Sequence, residues 1–400
     1  MTPADRRSFL LSAARLPLAG GLLALAGCTG TSGPGTLFGD GKTVTSPPAG
    51  AGGNVMGAGG VRVAMILPNS AGGQSSALAQ QIKNAADLAL QDFPGSNIQI
   101  MVKDDGGTTE GGQAAASQAA AEGAQLIVGP LNAVAARGAA GPARQAGIPV
   151  VAFTTDTSVA SRGVYLIGFL PSADVERIVA FAAQQGRRSF AALVPDDAYG
   201  SVAEAAFRQA TAQADARVMG IERYRDSTEM QAKAAVIAKL GAQIDAVFVP
   251  DLAANAAQAV QAMSAAGLDT RKVKILGTGR WADPAALASP ALAGGWYPGP
   301  DPVKIDGFRQ RYRQAYGAEP ASLAVLGYEA VFLAAGLVRN AGSNPFREDV
   351  LLSRNGFLGV TGLFRFRPDG TSERGLAVFE IAQGGAKVVG PAPKQFGSGT

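Results

Sequence analysis

Histidine is absent from this chain of 400 residues, and cysteine occurs only once. Without histidine the chain has no Ser-His-Asp triad, no histidine general base and no histidine-ligated zinc or haem. A single cysteine excludes internal disulfides and metal sites built from several cysteines. Charged residues are also scarce, at 16% against 47% hydrophobic residues, which is typical of a folded chain with a buried core. We therefore expect a folded protein that uses no metal and no cofactor.

Charge of one sign does not dominate the sequence either. The chain holds 35 basic and 31 acidic residues, a net charge of +4, with no dense block of lysine and arginine. Residues 1–27 carry three arginines and one aspartate, so their removal leaves 32 basic and 30 acidic residues, or +2. Such a weak excess predicts no nucleic-acid partner.

The acidic pairs of the chain do not indicate catalysis. Asp104 and Asp105 are adjacent, as are Asp196 and Asp197, and adjacent residues of an extended strand point to opposite faces. Gly-rich stretches lack the lysine and hydroxyl residue of a phosphate-binding loop. We therefore predict that the protein is not an enzyme. A hydrolase with carboxylates in a cleft is the least favoured alternative.

The first 28 residues have the features of an export signal. Arg6 and Arg7, followed by Ser-Phe-Leu, resemble a twin-arginine signal, and the apolar run behind them is too short and interrupted to span a bilayer. Leu25-Ala26-Gly27-Cys28 resembles the bacterial lipobox, in which the cysteine is acylated and becomes the mature N-terminus. The alternative is an inert cysteine in an ordinary signal peptide. We predict a signal peptide over 1–27 and lipidation at Cys28.

Residues 28–60 are predicted to be a flexible tether behind the acylated cysteine. Positions 29–60 contain eleven glycines and three prolines with few large apolar residues. A flexible segment of this length has a root-mean-square reach of about 30 Å. The tether would hold a globular part away from a membrane surface.

From residue 61 onward, apolar strands alternate with amphipathic helices. This order predicts an α/β fold of two doubly wound parallel sheets, with a cleft between the carboxyl edges of their strands. The predicted strands are 61–67, 98–102, 126–129, 149–153, 189–194, 217–224, 245–250 and 274–277. A closing pair of strands is predicted over 357–366 and 376–382, around the turn Pro368-Asp369-Gly370.

Several motifs resemble the type 1 periplasmic-binding-protein superfamily, in its branched-chain amino-acid-binding branch. The matching segments span about 61–390 in the family's order: Val128-Gly129-Pro130, Gly147-Ile148-Pro149-Val150-Val151, Asp197-Ala198-Tyr199-Gly200, Gly327-Tyr328-Glu329-Ala330-Val331 and Phe357–Gly362 followed by Phe366–Gly370. The resemblance implies three crossovers between two lobes. It places lobe 1 at about 61–170 plus 296–342, lobe 2 at about 171–295 plus 343–390, and a tail at 391–400.

A narrower resemblance competes with the first. The segments Ala152–Ala160 and Gly163–Phe169 are similar to bacterial lipoproteins called penicillin-binding-protein activators. Those proteins share the fold but are thought to stimulate peptidoglycan synthases by protein contact. The resemblance therefore implies a peptidoglycan synthase as an alternative partner.

The first resemblance implies a ligand clamp in lobe 1. Hydroxyl and backbone N–H groups of the family hold the ligand carboxylate. The loop at 131–134 lacks the serines usual in the family, but Asn132 can still donate. Thr154 and Thr155, with Asp156 beside them, keep a hydroxyl-rich clamp, and Ser70 is a further expected contact from the first strand-helix loop. The alternative for the Thr154–Asp156 loop is turn and capping chemistry. A carboxylate at 156 would repel a bound carboxylate, and would suit an ammonium or a sugar hydroxyl instead.

In lobe 2 the resemblance implies ligand contact by Tyr199, for which the alternative is an ordinary half-buried tyrosine. Tyr328, on a later helix of lobe 1, is also expected at the site. Tyr328 also fits an ordinary core position in an apolar helix. The acid that often holds the ligand ammonium is missing from Gly277–Asp283, where Arg280 stands beside the matching position. A second family tyrosine, expected near 250–254, is also missing. An ordinary amino-acid pocket is therefore only partly present.

Two functions follow from these resemblances. The first is a lipid-anchored, periplasmic solute-binding protein that takes an amino acid or a related small polar ligand in its cleft for an ABC permease. The second is a penicillin-binding-protein activator that works through protein contact. Either would be attached to the inner or the outer membrane through its lipid anchor.

Overall fold

The computed structural model describes residues 55–382 and 385–396 of the chain. The predicted signal peptide, Cys28 and nearly all of the tether lie outside this range. The described residues fall within one unit that begins at Gly52.

The first sheet has six strands, of which all but the short edge strand β1 run parallel. Its inner strands are almost wholly apolar because helices cover both faces of the sheet. The strands, in the spatial order β1-β3-β2-β4-β5-β6, are β1 (Val55–Met56), β2 (Val61–Leu67), β3 (Ile98–Asp104), β4 (Leu126–Val128), β5 (Val150–Ala152) and β6 (Val164–Leu166). The intervening helices are α1 (Gly73–Asp92), α2 (Thr109–Ala121) and α3 (Ala133–Gln145).

The second sheet has seven strands in the order β16-β15-β11-β10-β9-β7-β8. Its five parallel strands are β7 (Ser189–Pro195), β8 (Arg217–Tyr224), β9 (Ala246–Phe248), β10 (Lys274–Leu276) and β11 (Trp296–Gly299). The helices among them are α4 (Pro171–Gln184), α5 (Ala198–Gln213), α6 (Ser227–Ala238), α7 (Ala253–Ala265) and α8 (Pro284–Leu287). The prediction of two doubly wound parallel sheets is therefore confirmed.

The remaining elements complete both sheets and add a small third one. Helices α9 (Pro302–Tyr316) and α10 (Val325–Asn340) pack on the first sheet's core, followed by α11 (Glu348–Leu351). The strands β12 (Phe357–Gly359), β13 (Gly362–Phe366) and β14 (Ser372–Gly375) form an antiparallel sheet, and β15 (Ala377–Ala382) and β16 (Gly385–Gly390) extend the second sheet. The turn at 368–370 thus joins β13 to β14, and the predicted pairing of 357–366 with 376–382 is wrong.

The described segment Ser322–Asn340, which includes α10, is long and apolar enough to cross a membrane by composition alone. Two thirds of it are buried inside the fold. It packs against α1, where Gly327 lets the helices approach so closely that a Cβ at 327 would lie 2.2 Å from the Ile82 carbonyl oxygen. These contacts are those of a core helix.

Three short crossovers bring the carboxyl edges of the two large sheets together. Only residues 167–170 separate the end of β6 from α4, and only 300–301 separate the end of β11 from α9. The third crossover is Leu376, between β14 and β15. Five Cα–Cα steps span at most about 18 Å, so the edge of β6 lies close to the start of α4. The cleft between the two carboxyl edges stays a prediction.

The observed crossovers lead us to propose other lobe bounds than those implied by the resemblance. Strand β11 is hydrogen-bonded within the second sheet, although 296–299 were expected in lobe 1. Phe346, Leu351 and Phe364 belong to the first sheet's core, although 343–375 were expected in lobe 2. We propose lobe 1 as 55–167 plus 302–375 and lobe 2 as 171–299 plus 377–390.

A buried ion pair lies where two of these crossovers meet. Arg374 donates to Glu329 Oε2 at 3.0 Å and to Thr361 Oγ1 at 2.6 Å, and also to the carbonyl oxygen of Ile167 in the first crossover. Glu329 is fully buried and its other oxygen accepts the Thr361 N–H. The cluster ties α10 to the start of the first crossover and to the strand that precedes the third.

Candidate functional site

The polar residues of the first sheet's carboxyl edge come together around two glycines. The N–H groups of Ser70 and Gly106 both donate to Asp104 Oδ1, at 3.1 and 3.0 Å. A Cβ at Gly107 would lie 3.3 Å from Nδ2 of Asn132. Gly107 has φ +72°, a conformation that L residues rarely adopt, so the backbone favours glycine at this position. The structure thus brings the predicted site residues Ser70 and Asn132 to one edge.

Asn132 stands at the start of α3 without capping it. Its side chain makes no capping hydrogen bond, so the first N–H groups of this 13-residue helix have no side-chain acceptor. Val134, in the first turn of α3, is 43% exposed. This part of the edge offers N–H donors beside an apolar side chain.

Asp105 is a buried carboxyl group that sequence reasoning did not select as a site residue. It is 1% exposed, its Oδ1 accepts the Gly107 N–H at 2.7 Å, and its Oδ2 has no hydrogen-bond partner among the described residues. Burial and the neighbouring Asp104 charge raise the pKa of Asp105 to about 6, although the Gly107 hydrogen bond opposes the rise. The only signal in the sequence is the unusual position of two acids at the end of an apolar strand.

The Thr154–Asp156 loop makes turn and capping contacts. Asp156 Oδ1 accepts the Ser158 N–H at 2.9 Å and so caps a short 3-10 helix at Thr157–Val159, while Thr154 Oγ1 accepts the Asp156 N–H at 3.1 Å. Hydrogen bonds from Ser158 lower the pKa of Asp156. The Thr155 side chain is exposed on this loop. Ligand contact by these three residues stays a prediction.

Tyr199 and Arg280 meet at the second sheet's carboxyl edge. Tyr199 lies in the first turn of α5, after β7, and its hydroxyl donates to Thr278 Oγ1 at 3.0 Å. The Arg280 guanidinium carbon lies 3.3 Å from the centre of the Tyr199 ring, a close cation–π contact. Arg280 belongs to the short 3-10 helix Gly279–Trp281 that follows β10. The guanidinium group therefore covers one face of the tyrosine that the family resemblance places in the cleft.

Asp174 completes this cluster, and its role was not predicted. It lies in the first turn of α4 and accepts the Gly279 N–H at 2.8 Å, across 105 positions of sequence. Burial of the carboxyl group raises the pKa of Asp174 to about 7, although the Gly279 hydrogen bond and the Arg374 charge oppose the rise. Burial and the Asp174 charge together raise the pKa of Tyr199 to about 12.

The other carboxylates along this edge are engaged in local structure. Asp197 caps α5 by accepting the Gly200 N–H at 2.7 Å, and Asp283 caps α8 by accepting the Ala285 N–H at 2.8 Å. Asp196 pairs with Arg223 at 3.6 Å. Asp251 is buried and accepts hydrogen bonds from the Leu252 N–H and the Tyr224 hydroxyl. Each of these four acids already has a hydrogen-bond or ion-pair partner within the protein, so none presents an unpartnered carboxylate to a ligand ammonium group.

Tyr328 lies apart from the other predicted site residues. It is 4% exposed within the first sheet's core, and its hydroxyl donates to Asp92 Oδ2 at 2.7 Å at the end of α1. The structure does not bring it into contact with Tyr199 or Arg280. Trp281, next to Arg280, is fully buried in the second sheet's core.

Two further features of the described residues lie apart from this edge or bear on metal binding. No group of three His, Cys, Asp or Glu side chains in 55–382 and 385–396 could hold a metal ion. A surface groove of about 580 Å³ lies between α6 and α7, lined among others by Met230, Gln258 and Gln261. This groove is on the outer side of the second sheet's helices and contains none of the predicted site residues.

Comparison with known proteins identifies the family. Residues 60–386 match the sequence profile of the periplasmic binding protein family. A comparison with curated protein sequences found no match.

Three solved structures illustrate the fold. One is a Rhodospirillum rubrum protein assigned to branched-chain amino acid ABC transport (TM-score 0.69, 20% identity, 82% of this chain and 99% of that one). The second is a solute-binding protein of Rhodopseudomonas palustris in complex with benzoate (0.56, 20%, 84% and 98%). The third is the C-domain of LpoA from Haemophilus influenzae, a regulator of PBP1A (0.63, 17%, 82% and 99%). The profile match covers most of the chain and the neighbours share its two-lobed architecture, so the chain belongs to the periplasmic binding protein family and has its type 1 fold.

Proposed function

We propose that this protein is an extracytoplasmic solute-binding protein that takes a small polar ligand between its lobes and delivers it to an ABC permease. The observation that carries the proposal is the pairing of two polar edges across short crossovers. Ser70, Asn132 and the Thr154–Asp156 loop line one edge, and Tyr199 with Arg280 lines the other. Proteins with hinged lobes bind ligands by closing over such edges.

No hydrogen bond or ion pair between described residues joins the first edge's loops to Tyr199 or Arg280. The Thr155 side chain is exposed, and the start of α3 has N–H groups without a side-chain acceptor. Small polar ligands need such directional groups, because a buried charge without a partner is costly. These groups support a role in ligand binding.

The test is a thermal-shift screen of the full-length protein in detergent against amino acids, their amides and aromatic acids. We expect a ligand-dependent rise in melting temperature, because a ligand that binds only the native state stabilises it by mass action. Tyr199→Ala and Thr155→Ala should abolish the rise. Thr228→Ala, which removes an exposed hydroxyl on α6, is the matched control and should leave it unchanged.

Failure of every small molecule to stabilise the protein would reject solute binding. An unchanged ligand response in Tyr199→Ala and Thr155→Ala would reject only the assigned site residues. The two failures therefore have different signatures.

The proposal includes a lipid anchor at Cys28, which lies outside the described residues. Acyl chains contribute about 0.8 kcal/mol for each buried methylene, so two or three chains hold a protein durably on a membrane. Cys28→Ala should shift the protein from the membrane fraction to the soluble periplasmic fraction. Continued membrane attachment of the variant would contradict acylation at this residue.

A penicillin-binding-protein activator is the second candidate function. It is favoured by the Arg280 guanidinium on the Tyr199 ring, which occupies a face that a ligand would otherwise contact. The likeness to the LpoA C-domain shows that the fold also occurs in a regulator of PBP1A. Capture of a peptidoglycan synthase by the full-length protein, with no small-molecule stabilisation, would favour this function over transport.

A further inference from the structure

Residues 391–396 form a short segment that contacts the proposed lobe 2 at its start and the proposed lobe 1 at its end. The segment follows β16, and the match to the family profile ends before it, at residue 386. It begins with Pro-Ala-Pro, in which each proline fixes its own backbone angle and the second proline also restricts Ala392. The segment is therefore stiffer than an ordinary loop of the same length.

The start of the segment is attached to lobe 2. Ala392 is half-buried against the core of the second sheet. Arg177 of α4 donates from Nη2 to the Pro391 carbonyl oxygen at 3.1 Å and from Nε to the Leu376 carbonyl oxygen at 2.7 Å. Leu376 is the third crossover. One side chain of lobe 2 therefore holds this crossover and the segment side by side.

The end of the segment packs on the small antiparallel sheet, whose strand β13 belongs to the first sheet's core. A Cβ at Gly375 of β14 would lie 2.9 Å from Pro393 Cγ. A Cβ at Gly356, just before β12, would lie 2.7 Å from Phe396 Cε2. The Arg365 guanidinium carbon lies 4.4 Å from the centre of the Phe396 ring, which is a cation–π contact. These contacts attach the end of the segment to lobe 1.

The two sets of contacts join the lobes beside a crossover that is one residue long. Hinged lobes move through changes of backbone angles at a few connecting residues. A stiff segment that is attached on both sides of such a hinge cannot follow the rotation unless the contacts at one of its ends break. The segment therefore opposes rotation of one lobe against the other.

From this arrangement we infer that residues 391–396 are an interlobe strap, which limits the movement of the two lobes relative to each other. The Arg177 end stays with lobe 2, and release of the Phe396 end from lobe 1 frees the lobes to move. The inference goes beyond the proposed function, because it concerns the protein without a ligand. It rests on the proposed lobe bounds and not on the identity of a solute.

The experiment measures the distance between the lobes in the absence of any small molecule. Cys28 is the only cysteine of the chain, so full-length protein with Cys28→Ser, Ser117→Cys and Ser264→Cys carries one thiol on α2 and one on α7. Both serines are exposed, and they lie on lobe 1 and lobe 2 respectively. Spin labels on the two thiols report the distribution of interlobe distances by pulsed electron paramagnetic resonance.

Phe396→Ala removes the ring that contacts Gly356 and Arg365. We expect the population of distances outside the main peak of the unsubstituted strap to rise about two- to fivefold, which is the change that loss of one exposed cation–π contact produces. Gly375→Ala adds a methyl group that displaces Pro393, and should change the distribution in the same direction. Because it leaves the Phe396 ring in place, this second variant tests the strap by a separate route.

Lys394→Ala is the matched control, because Lys394 is an exposed residue of the same segment, between the contacts of Pro393 and Phe396. It should leave the distance distribution unchanged. Circular dichroism and the melting temperature establish that each variant is folded.

Unchanged distance distributions in Phe396→Ala and Gly375→Ala would overturn the inference. An equal broadening in Lys394→Ala would also overturn it, because the contacts of Pro393 and Phe396 would then not be the cause. Failure of the ligand screen rejects solute binding but leaves this measurement unaffected, so the two failures are distinguishable.

Discussion

Asp104 and Asp105 are neighbours in the sequence, but the structure gives their carboxyl groups opposite environments. Burial alone would raise the pKa of Asp104, but hydrogen bonds from Ser70 and Gly106 outweigh it, so that the pKa of Asp104 is lowered. Asp105 is almost fully buried, and the pKa of its carboxyl group is raised to about 6. The difference arises because successive side chains at a strand end point in different directions.

This difference predicts opposite effects of pH on stability. Between pH 4 and pH 6 the native Asp105 binds a proton that the unfolded chain has lost, so its contribution to the free energy of unfolding falls as pH rises. The difference between the ordinary pKa of an aspartate, 3.8, and the native pKa of Asp105, about 6, corresponds to a change in the free energy of unfolding on the order of 3 kcal/mol. Asp105→Asn should remove this fall, as measured by urea unfolding at pH 4, 5, 6 and 7.

Asp104→Asn is the control, because the pKa of Asp104 is shifted in the direction opposite to that of Asp105. A lowered native pKa stabilises the fold above the ordinary pKa, and the stabilisation is lost as the pH falls through the native value. Asp104→Asn should therefore lower stability at pH 7. It should also leave a fall between pH 4 and pH 6 that is smaller than in the unchanged protein, because the Asp104 charge contributes to the raised pKa of Asp105. If the slope of the unfolding free energy in Asp105→Asn equals that of the unchanged protein, Asp105 does not titrate as stated.

At the scale of elements, helices α2 and α3 approach each other through glycines. A Cβ at Gly112 of α2 would lie 2.2 Å from the Ala135 carbonyl oxygen, and one at Gly138 of α3 would lie 1.9 Å from the Thr109 carbonyl oxygen. Both distances are far below contact with backbone atoms, which cannot move away as a flexible side chain can. Glycine is therefore needed at these two positions because the helices pack closely there, although glycine is a poor helix former.

Two substitutions in α3 separate packing from propensity. Gly138→Ala should lower the free energy of unfolding by about 1–3 kcal/mol, because the added methyl group forces the helices apart. Gly141→Ala lies three residues away with nothing within 4 Å of the added Cβ, and should raise stability by about 0.5–1 kcal/mol. Urea unfolding measures both. Equal effects of the two substitutions would contradict close packing at Gly138.

At the scale of the whole molecule, the Glu329–Arg374 pair anchors two of the three crossovers. Arg374 holds the Ile167 carbonyl oxygen of the first crossover and lies two residues before the third. A Cβ at Gly359 would lie 2.2 Å from Glu329 Oε1, so the space around the pair is also closed by glycine.

Removal of one charge from this pair should be costly. Glu329→Gln keeps the shape of the side chain but leaves a buried guanidinium group without its counter-charge, so we expect a loss of about 3–5 kcal/mol in the free energy of unfolding. The control is Arg162→Gln, which breaks the exposed pair with Glu348 and should leave the melting temperature unchanged. A loss in Glu329→Gln no larger than that in Arg162→Gln would show that the cluster does not stabilise the crossovers.

The alternation of strands and helices was predictable from the sequence, because the apolar periodicity of each element is local. Several strands escaped this reasoning, among them β6, β11, β14 and β16. Strand β11 contains Pro298, which argues against a strand in a sheet, and its place beside β10 and β15 depends on residues far along the chain. The pairing of β13 with β14 was missed because an apolar run does not identify its partner strand.

By itself the sequence determined the fold class, the order of its elements and the position of several polar residues at strand ends, since these follow from local patterns. Only the tertiary structure decided which charged side chains find an ion-pair or hydrogen-bond partner. Arg374 finds Glu329 across 45 positions and Asp174 finds the Gly279 N–H across 105, whereas Arg280 meets only the Tyr199 ring. Solvation and pairing of a charge depend on residues brought together by folding, and no local pattern contains that information.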